Sequence, residues 1–416
     1  MSIQNIKDEL LASIDKSSKE LLELASNLIK IKSVNPPGDM TEIAAFIQDL
    51  LEENGLKVER IEPEPGRITL ISSIGSGDKE LVLNGHMDVV PVGDPTRWSF
   101  DPFSGKIVDG YLLGRGASDM KGGLAGLIWA FIKASKYESL FNGKLTLVVV
   151  PDEETGGLYG TKYLVDNGIH LGTSVIIGEP TGIDFIDVGQ KGILWLKMVF
   201  HGKPTHGSLA PYVGDNAVFK ACSLLAEIRD AVTKLESNPP EDIKPVIEES
   251  MKIAEKLIGI KGIGIILRKP SFNLGIIKGG VKTNIVPDTC EAHIDIRLPI
   301  GLPSSRVLET IKEKTRGENV DIEVLTRYEA NYTSPNSEIV KIVEENISRI
   351  VGVKPKVFVQ WASSDARFYR LKGIPTIHYG PAIVEGIHGY DEKVKAEDIV
   401  KASKVYAASI IDYLTA

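Results

Sequence analysis

The chain has 416 residues, 43% of them hydrophobic and 25% charged, an ordinary globular composition with length for two or three domains at about 150 residues each. Forty-eight basic against 56 acidic residues give a net charge of −8, which excludes a polybasic nucleic-acid or membrane-surface protein on composition. No run approaches the ~18 apolar residues of a membrane span. The start, Met1 to Asp8, lacks the apolar core of a secretory signal, and Cys222 and Cys290 match no C-x-x-C pattern. A cytoplasmic protein with free thiols is expected.

Taken in chain order, Ile14, Leu21, Leu22, Ala25, Leu28 and Ile29 recur at helical spacing. Pro36-Pro37-Gly38-Asp39 breaks the pattern, and a second helix runs through Ala44, Phe46, Ile47, Leu50 and Leu51. Short Val-, Ile- and Leu-rich runs follow at Ile68–Ile74, Glu80–Leu83, Lys144–Val150 and Ser174–Ile177. They are continuous rather than alternating, which predicts strands buried on both faces of a mixed or parallel sheet. Helices over Met120–Ser135 and Gly157–Asp166 alternate with them, so the domain is α/β.

Near Val188 the texture changes. Ile193–Phe200 alternates as a strand, Asn216–Val232 reads as a helix, Phe272–Ile277 and Cys290–Arg297 as strands, Ser304–Lys314 as a helix and Val320–Leu325 as a strand. The order βαββαβ is the ferredoxin-like split unit. From Ser337 the α/β pattern returns through a helix, a strand at Val357–Val359 and a last helix at Ala396–Leu414. The expected organisation is therefore a domain at 1–189 and 331–416, interrupted by a second at 190–330. An extra piece at about 234–270, with a helix over Pro245–Leu257, is either a surface elaboration or a wall near a pocket or interface.

Three apolar runs end in metal-competent residues: Leu81–Gly85 leads to His86-Met87-Asp88, Leu145–Val150 to Asp152-Glu153-Glu154, and Val175–Gly178 to Glu179. In open α/β sheets the functional crevice lies beyond the carboxyl ends of the strands. Carboxylates packed there repel one another unless a cation joins them. His86 and Asp88 share a strand face, so the Asp88 carboxylate can orient the ring while its other nitrogen meets a metal; a plain hydrogen-bonded strand-end histidine is the simpler reading. Asp119 sits at a glycine-rich loop before a helix, either bridging two cations or acting as an N-terminal acid beside a Ser118 cap. That loop fits neither nucleotide-binding glycine pattern. Of Glu153 and Glu154, one can ligate metal and the other take the proton of the attacking water, unless both are solvated surface acids.

The blocks Gly85–Pro91, Gly116–Gly123, Glu153–Gly157 and Gly178–Thr181 occur in order, and together they resemble the signature blocks of the co-catalytic zinc amidohydrolases and exopeptidases. That family includes acetylornithine deacetylase, succinyl-diaminopimelate desuccinylase, aminoacylases and carboxypeptidase G. The resemblance implies a mixed-sheet zinc-exopeptidase-like catalytic domain interrupted by a ferredoxin-like dimerisation or lid domain. It implies two divalent cations, zinc in the first place with cobalt or manganese as substitutes. His86 and Glu179 would hold one, Glu154 and His388 the other, with Asp119 bridging, often before a cis peptide. Asp88 would orient His86, and Glu153 would be general base. His206, in Gly202–Ser208, would reach a partner subunit's site and stabilise an oxyanion, which implies a homodimer. Asn284 and Arg297 would contact substrate, although Arg297 could instead pair with Asp295. The implied reaction is hydrolysis of a linear amide in an N-acyl amino acid, or alternatively in a dipeptide or carboxypeptidase substrate. No nucleic acid or membrane partner is expected. Trp361-Ala362-Ser363 stands where the family usually carries a Gly-Gly-Thr-like run, before Ser364–Phe368, so the family's substrates do not transfer directly. His170, His201 and His293 read as structural or exposed, and His378 as core or close behind the site.

Overall fold

The computed structural model describes residues 2–415. The chain divides into two compact units, Met1–Val188 with Thr333–Phe358 and Ser364–Ala416, and Gly189–Tyr332 with Val359–Ser363. The short stretch Val359–Ser363, carrying the Trp361-Ala362-Ser363 sequence, thus groups with the second unit. No helix among the described residues is long and apolar enough to cross a membrane, and both cysteines are free.

The first unit is built on a mixed sheet whose order runs Glu59–Ile61, Thr69–Gly75, Lys144–Val150, Glu80–His86, Ser174–Ile177, Thr376–His378 and Phe185–Gln190. At its centre Glu80–His86 pairs in parallel with both Lys144–Val150 and Ser174–Ile177, and the latter pairs in parallel with Thr376–His378. All seven residues of Glu80–His86 are buried, which is why the run is continuously apolar rather than alternating. Helix Gly122–Ala134 is buried on nearly every side and packs against Ala396–Leu414.

Two elements differ from the periodicity reading. The first helical stretch is two helices, Ile3–Lys16 and Ser18–Lys30. They part at Ser17, whose hydroxyl donates to the Ser13 carbonyl and accepts the indole N–H of Trp129 at 3.1 Å. Burying that indole requires an acceptor, and the helix break supplies one. The helix expected from Gly157 begins only at Thr161. Before it, the buried Asp152 carboxylate accepts the N–H groups of Tyr159 and Gly160 at 2.8 and 2.9 Å, so this stretch is a turn, with Gly157 at φ 69°.

In the second unit the strands Gly192–His201, Ser271–Gly279, Thr289–Leu298 and Val320–Tyr328 form one antiparallel sheet, in the order Ser271–Gly279, Thr289–Leu298, Gly192–His201, Val320–Tyr328. Helices Ala217–Thr233 and Ser304–Lys314 complete the ferredoxin-like unit. Leu194, Leu196, Met198 and Phe200 alternate inward and join Ala221, Leu225, Ile228, Val307 and Ile311 in one core.

The additional segment carries helix Lys244–Ile258 and the turn Ile263–Leu267. It is fastened to the unit at three places: Lys191 Nζ donates to the Ile266 and Lys269 carbonyls, Tyr332 Oη to Asp242, and the Val359 N–H to Ser250 Oγ.

In the first unit, the start of helix Gly122–Ala134 meets the strand ends at backbone distance. A Cβ on Gly123 would lie 2.1 Å from the Gly178 carbonyl oxygen, a main-chain atom that cannot swing away. Gly123→Ala is therefore expected to lower stability by about 1–3 kcal/mol. Thermal denaturation checks this, and an unchanged midpoint would show that the two backbones can separate without loss.

Candidate metal centre

Because three central strands run parallel, their carboxyl ends deliver side chains to one edge of the sheet. His86 is the last residue of Glu80–His86. Glu153 and Glu154 lie in the short turn Glu153–Thr155 after Lys144–Val150. Glu179 follows Ser174–Ile177 by two residues. Asp119 stands just before helix Gly122–Ala134, and its bond to Met120 is cis. His388 comes from the loop after Val384–Gly386 and holds φ 59°.

These residues form two groups sharing one member. His86, Asp119 and Glu179 are one; Asp119, Glu154 and His388 are the other; in each, one potential ligand atom per residue lies within 4.8 Å of the rest. Asp119 Oδ1 is 3.2 Å from His86 Nε2, while its Oδ2 is 3.2 Å from His388 Nε2. Glu154 Oε2 lies 3.1 Å from His388 Nε2, and Glu179 Oε1 lies 3.9 Å from His86 Nε2. One carboxylate thus turns each of its oxygens toward a different imidazole.

The ring of His86 is fixed from behind, though not quite as expected. Its Nδ1 lies 2.9 Å from the main-chain oxygen of Asp88 and 3.4 Å from the carboxylate Oδ1. The Asp88 carboxylate is occupied elsewhere: it accepts the Asn35 amide at 2.8 Å and the backbone N–H groups of Glu153 and Glu154 at 3.2 and 3.3 Å. Asp88 therefore joins the histidine strand to the glutamate turn, and its carbonyl is the nearest acceptor for the imidazole. An Nδ1–H donated to that carbonyl leaves the Nε2 lone pair facing Asp119 and Glu179.

The electrostatics are those of acids lacking counter-charge. Burial, then the neighbouring Glu179 and Asp365, hold the Glu153 carboxyl well above the usual range. Burial likewise raises Glu179, Glu154 and Asp365, with like charges adding to each. For Asp119 burial acts in the same sense, but hydrogen bonds from His388 and His86 outweigh it and hold the group below the ordinary range. Hydrogen bonds to Asp119 and Glu154 push His388 up to about 10.

A pair of divalent cations fits these residues. Glu179 Oε1 is buried and has no hydrogen-bond partner among the described residues, an arrangement costly for an acid left alone. Imidazole nitrogens mixed with carboxylate oxygens are the donor set that zinc, cobalt and manganese accept.

The expected residues His206, Asn284 and Arg297 belong to the second unit. His206 is exposed, its Nδ1 2.7 Å from Ser208 Oγ. Asn284 is exposed and its carbonyl accepts the Gly207 N–H. Arg297 Nε donates to Asp295 Oδ1 at 2.9 Å, the pairing left open as its alternative. His378 is buried between Asp187, at 2.5 Å, and Ser364, at 2.9 Å. His201 and His293 each meet an acid at 2.8 Å, Asp321 and Glu291, and His170 lies 3.4 Å from Glu80. Asn35 and Asp365, both beside the candidate ligands, were not legible in the sequence. Asn35 carried no signal beyond its place before Pro36-Pro37. Asp365 lies in a block already singled out, but nothing local marked its carboxyl as a neighbour of Glu153 and Glu179.

The profile described as Peptidase family M20/M25/M40 matches residues 82–412. The chain is 25% identical over 417 residues to a probable succinyl-diaminopimelate desuccinylase of Staphylococcus aureus, covering 96% of this chain and 98% of the relative. It is 31% identical over 426 residues to a metallohydrolase of Methanococcus maripaludis, covering 93% and 97%. Among solved structures, an M20 family metallo-carboxypeptidase from Sulfolobus solfataricus superposes with a TM-score of 0.77 at 25% identity, over 95% of this chain and 99% of that one. A two-group cluster of histidines and acids at the strand ends, in a chain matched over most of its length, identifies a metallohydrolase acting on amide or peptide bonds, and the chain belongs to peptidase family M20/M25/M40.

Proposed function

We propose that this protein is an N-acyl-amino-acid amidohydrolase of the acetylornithine deacetylase and succinyl-diaminopimelate desuccinylase type, with Glu153 as general base. The observation that carries the reading is Asp119, whose two carboxylate oxygens face His86 and His388 separately, with Glu153 next to Glu154 in the adjoining turn. Two divalent cations, zinc in the first place with cobalt or manganese as substitutes, would supply the Lewis-acid charge that polarises a scissile carbonyl and acidifies the attacking water. His86 and Glu179 would hold one, Glu154 and His388 the other, and Asp119 both.

The chain's own groups do the proton work. The Glu153 carboxyl lies among Glu179, Asp365 and Glu154, and its main-chain N–H is fixed by Asp88. From there it takes the proton of the water that attacks the amide carbon, then delivers it to the departing nitrogen as the C–N bond breaks. The products are a carboxylate and a free amine. His206, supplied by a second copy of the chain in a homodimer, donates to the oxyanion of the tetrahedral intermediate. Its exposure is what such a role requires. Asn284 and Arg297 bind the substrate's amino-acid part; for Arg297 this means sharing or exchanging its bond to Asp295.

Similarity to a probable succinyl-diaminopimelate desuccinylase supports the deacylase reading. Similarity to a metallo-carboxypeptidase supports a second reading, cleavage of short peptides by the same groups. Steady-state kinetics of metal-loaded protein on acetyl- and succinyl-amino acids and on dipeptides separates the two. The larger kcat/KM is expected for an acyl-amino acid, and a dipeptide turned over faster would replace the first reading with the second.

Glu153→Gln is expected to retain fold and metal while kcat falls roughly 10²- to 10⁴-fold. Near-full turnover in that variant would remove Glu153 as the base. His206→Ala is expected to lower kcat by about 10²-fold with metal content unchanged by elemental analysis; lost metal would contradict its assignment to the oxyanion.

A further inference from the structure

We infer that Arg115 and Glu392 are positioning residues that set Asp119 against His388 and thereby build the second of the two cation positions, an inference that rests on the two-ion reading above. Neither side chain reaches the candidate ligand atoms, and both are almost fully buried, at 2% and 1% exposure. A buried carboxylate on one loop and a buried guanidinium on the other form a link between two segments that the sequence keeps 273 positions apart.

The Glu392 carboxylate accepts three main-chain N–H groups from the Asp119 loop: Gly116 at 3.1 Å, Ser118 at 2.9 Å and Asp119 itself at 3.0 Å. Arg115 Nη1 donates to the same carboxylate at 2.5 Å, while Nη2 donates to the carbonyl of Gly389, next to His388, at 2.9 Å. One planar guanidinium thus spans the acid that holds the Asp119 loop and the backbone that carries the His388 ring, a task suited to a rigid fork of donors. The stitching continues at the edges. Gly114 N–H donates to the Glu392 carbonyl at 3.0 Å, Ser118 Oγ donates to the Lys393 carbonyl at 2.9 Å, and Ser118 Oγ in turn accepts the Ile383 N–H at 3.0 Å. Ser118 therefore fastens the two loops together and does not cap the helix.

The two members of the first cation position other than Asp119 have separate support. His86 stands at the end of a central strand and Glu179 just past another. On the helix side of the Asp119 loop, Lys121 Nζ donates to the Leu28 and Ile31 carbonyls at 2.8 Å each. His388, by contrast, sits on an irregular loop with a positive φ and half its side chain exposed. Beside the contacts of Asp391 with Ser99 and of Tyr390 with Trp98, the link through Arg115 and Glu392 is the one that ties this loop to the Asp119 loop. Supporting contacts of this kind commonly change metal affinity about 10- to 100-fold when removed.

The test is a Co²⁺ titration of metal-stripped, full-length protein, followed by calorimetry and visible absorption, for wild type, Glu392→Gln and Arg115→Lys. Glu392→Gln keeps the shape but replaces an acceptor oxygen with a donor facing backbone N–H groups. Arg115→Lys keeps the charge but cannot reach Glu392 and Gly389 together. In both variants the first equivalent is expected to bind within about twofold of wild type and the second at least about tenfold more weakly. Two equivalents bound as in wild type would overturn the inference, and so would equal weakening of both. Thermal denaturation of the metal-free proteins identifies a variant that fails to fold, in which case the other decides. Wild-type protein saturating at one equivalent would refute the two-ion reading itself, and the inference would fall with it.

Discussion

Burying several carboxylates side by side is the constraint on which the first unit turns. Asp119, Glu154 and Glu179, with Glu153 and Asp365 beside them, occupy a region where burial and mutual repulsion push most of them toward the neutral form. An apolar protein of the same shape would fold without that cost. The arrangement is reasonable only if positive charge joins it, and the two imidazoles supply part of that charge, with His86 Nε2 still 3.9 Å from a Glu179 oxygen that has no hydrogen-bond partner among the described residues. The family's metal chemistry is thus visible here as an electrostatic debt in the protein itself.

Parallel strand pairing is what brings the acids together. Side chains from Glu80–His86, Lys144–Val150 and Ser174–Ile177 leave the sheet at the same end because the three strands point the same way. The helix that begins beyond Asp119 can come close enough only because small residues face the strand ends. Gly123 approaches the Gly178 carbonyl and Gly85 approaches Met120 and Leu124. Gly123, at the end of the glycine-rich loop, and Gly85, on the strand, are packing residues in space.

How much of this could be read from the chain depended on whether the signal was local. Strand endings at His86, Glu153-Glu154 and Glu179 are legible because each continuous apolar run stops at a ligand-capable residue. The βαββαβ order of the second unit is legible because strand and helix periods differ. The break at Ser17 was not, since apolar spacing on both sides continues the helical period and only the distant Trp129 indole distinguishes the position. Asn35 and Glu392 were hidden for the same reason. Their partners, the Asp88 carboxylate and the Asp119 N–H, lie 53 and 273 positions away, and no spacing rule connects a polar side chain to a partner that far along the chain. For Arg297 the sequence left two partners open, and the bond to Asp295 is one of them, a contact two residues away that strand geometry makes easy.

The overall charge of −8 argues against polyanionic partners, yet it says little about the substrate. Asp88, Asp119, Glu153, Glu154 and Glu179 concentrate negative charge at the strand ends, and two divalent cations would cancel nearly all of it. What remains near the reacting bond is then close to neutral, so an anionic acyl-amino acid would meet no repulsion from the acidic chain. A surface count averages over the whole molecule, whereas binding depends on the few charges within a Debye length of about 8 Å of the ligand. For a metal centre those few would include the ions themselves, so the charge a substrate meets is set by the ligands and their cations and not by the composition of the chain.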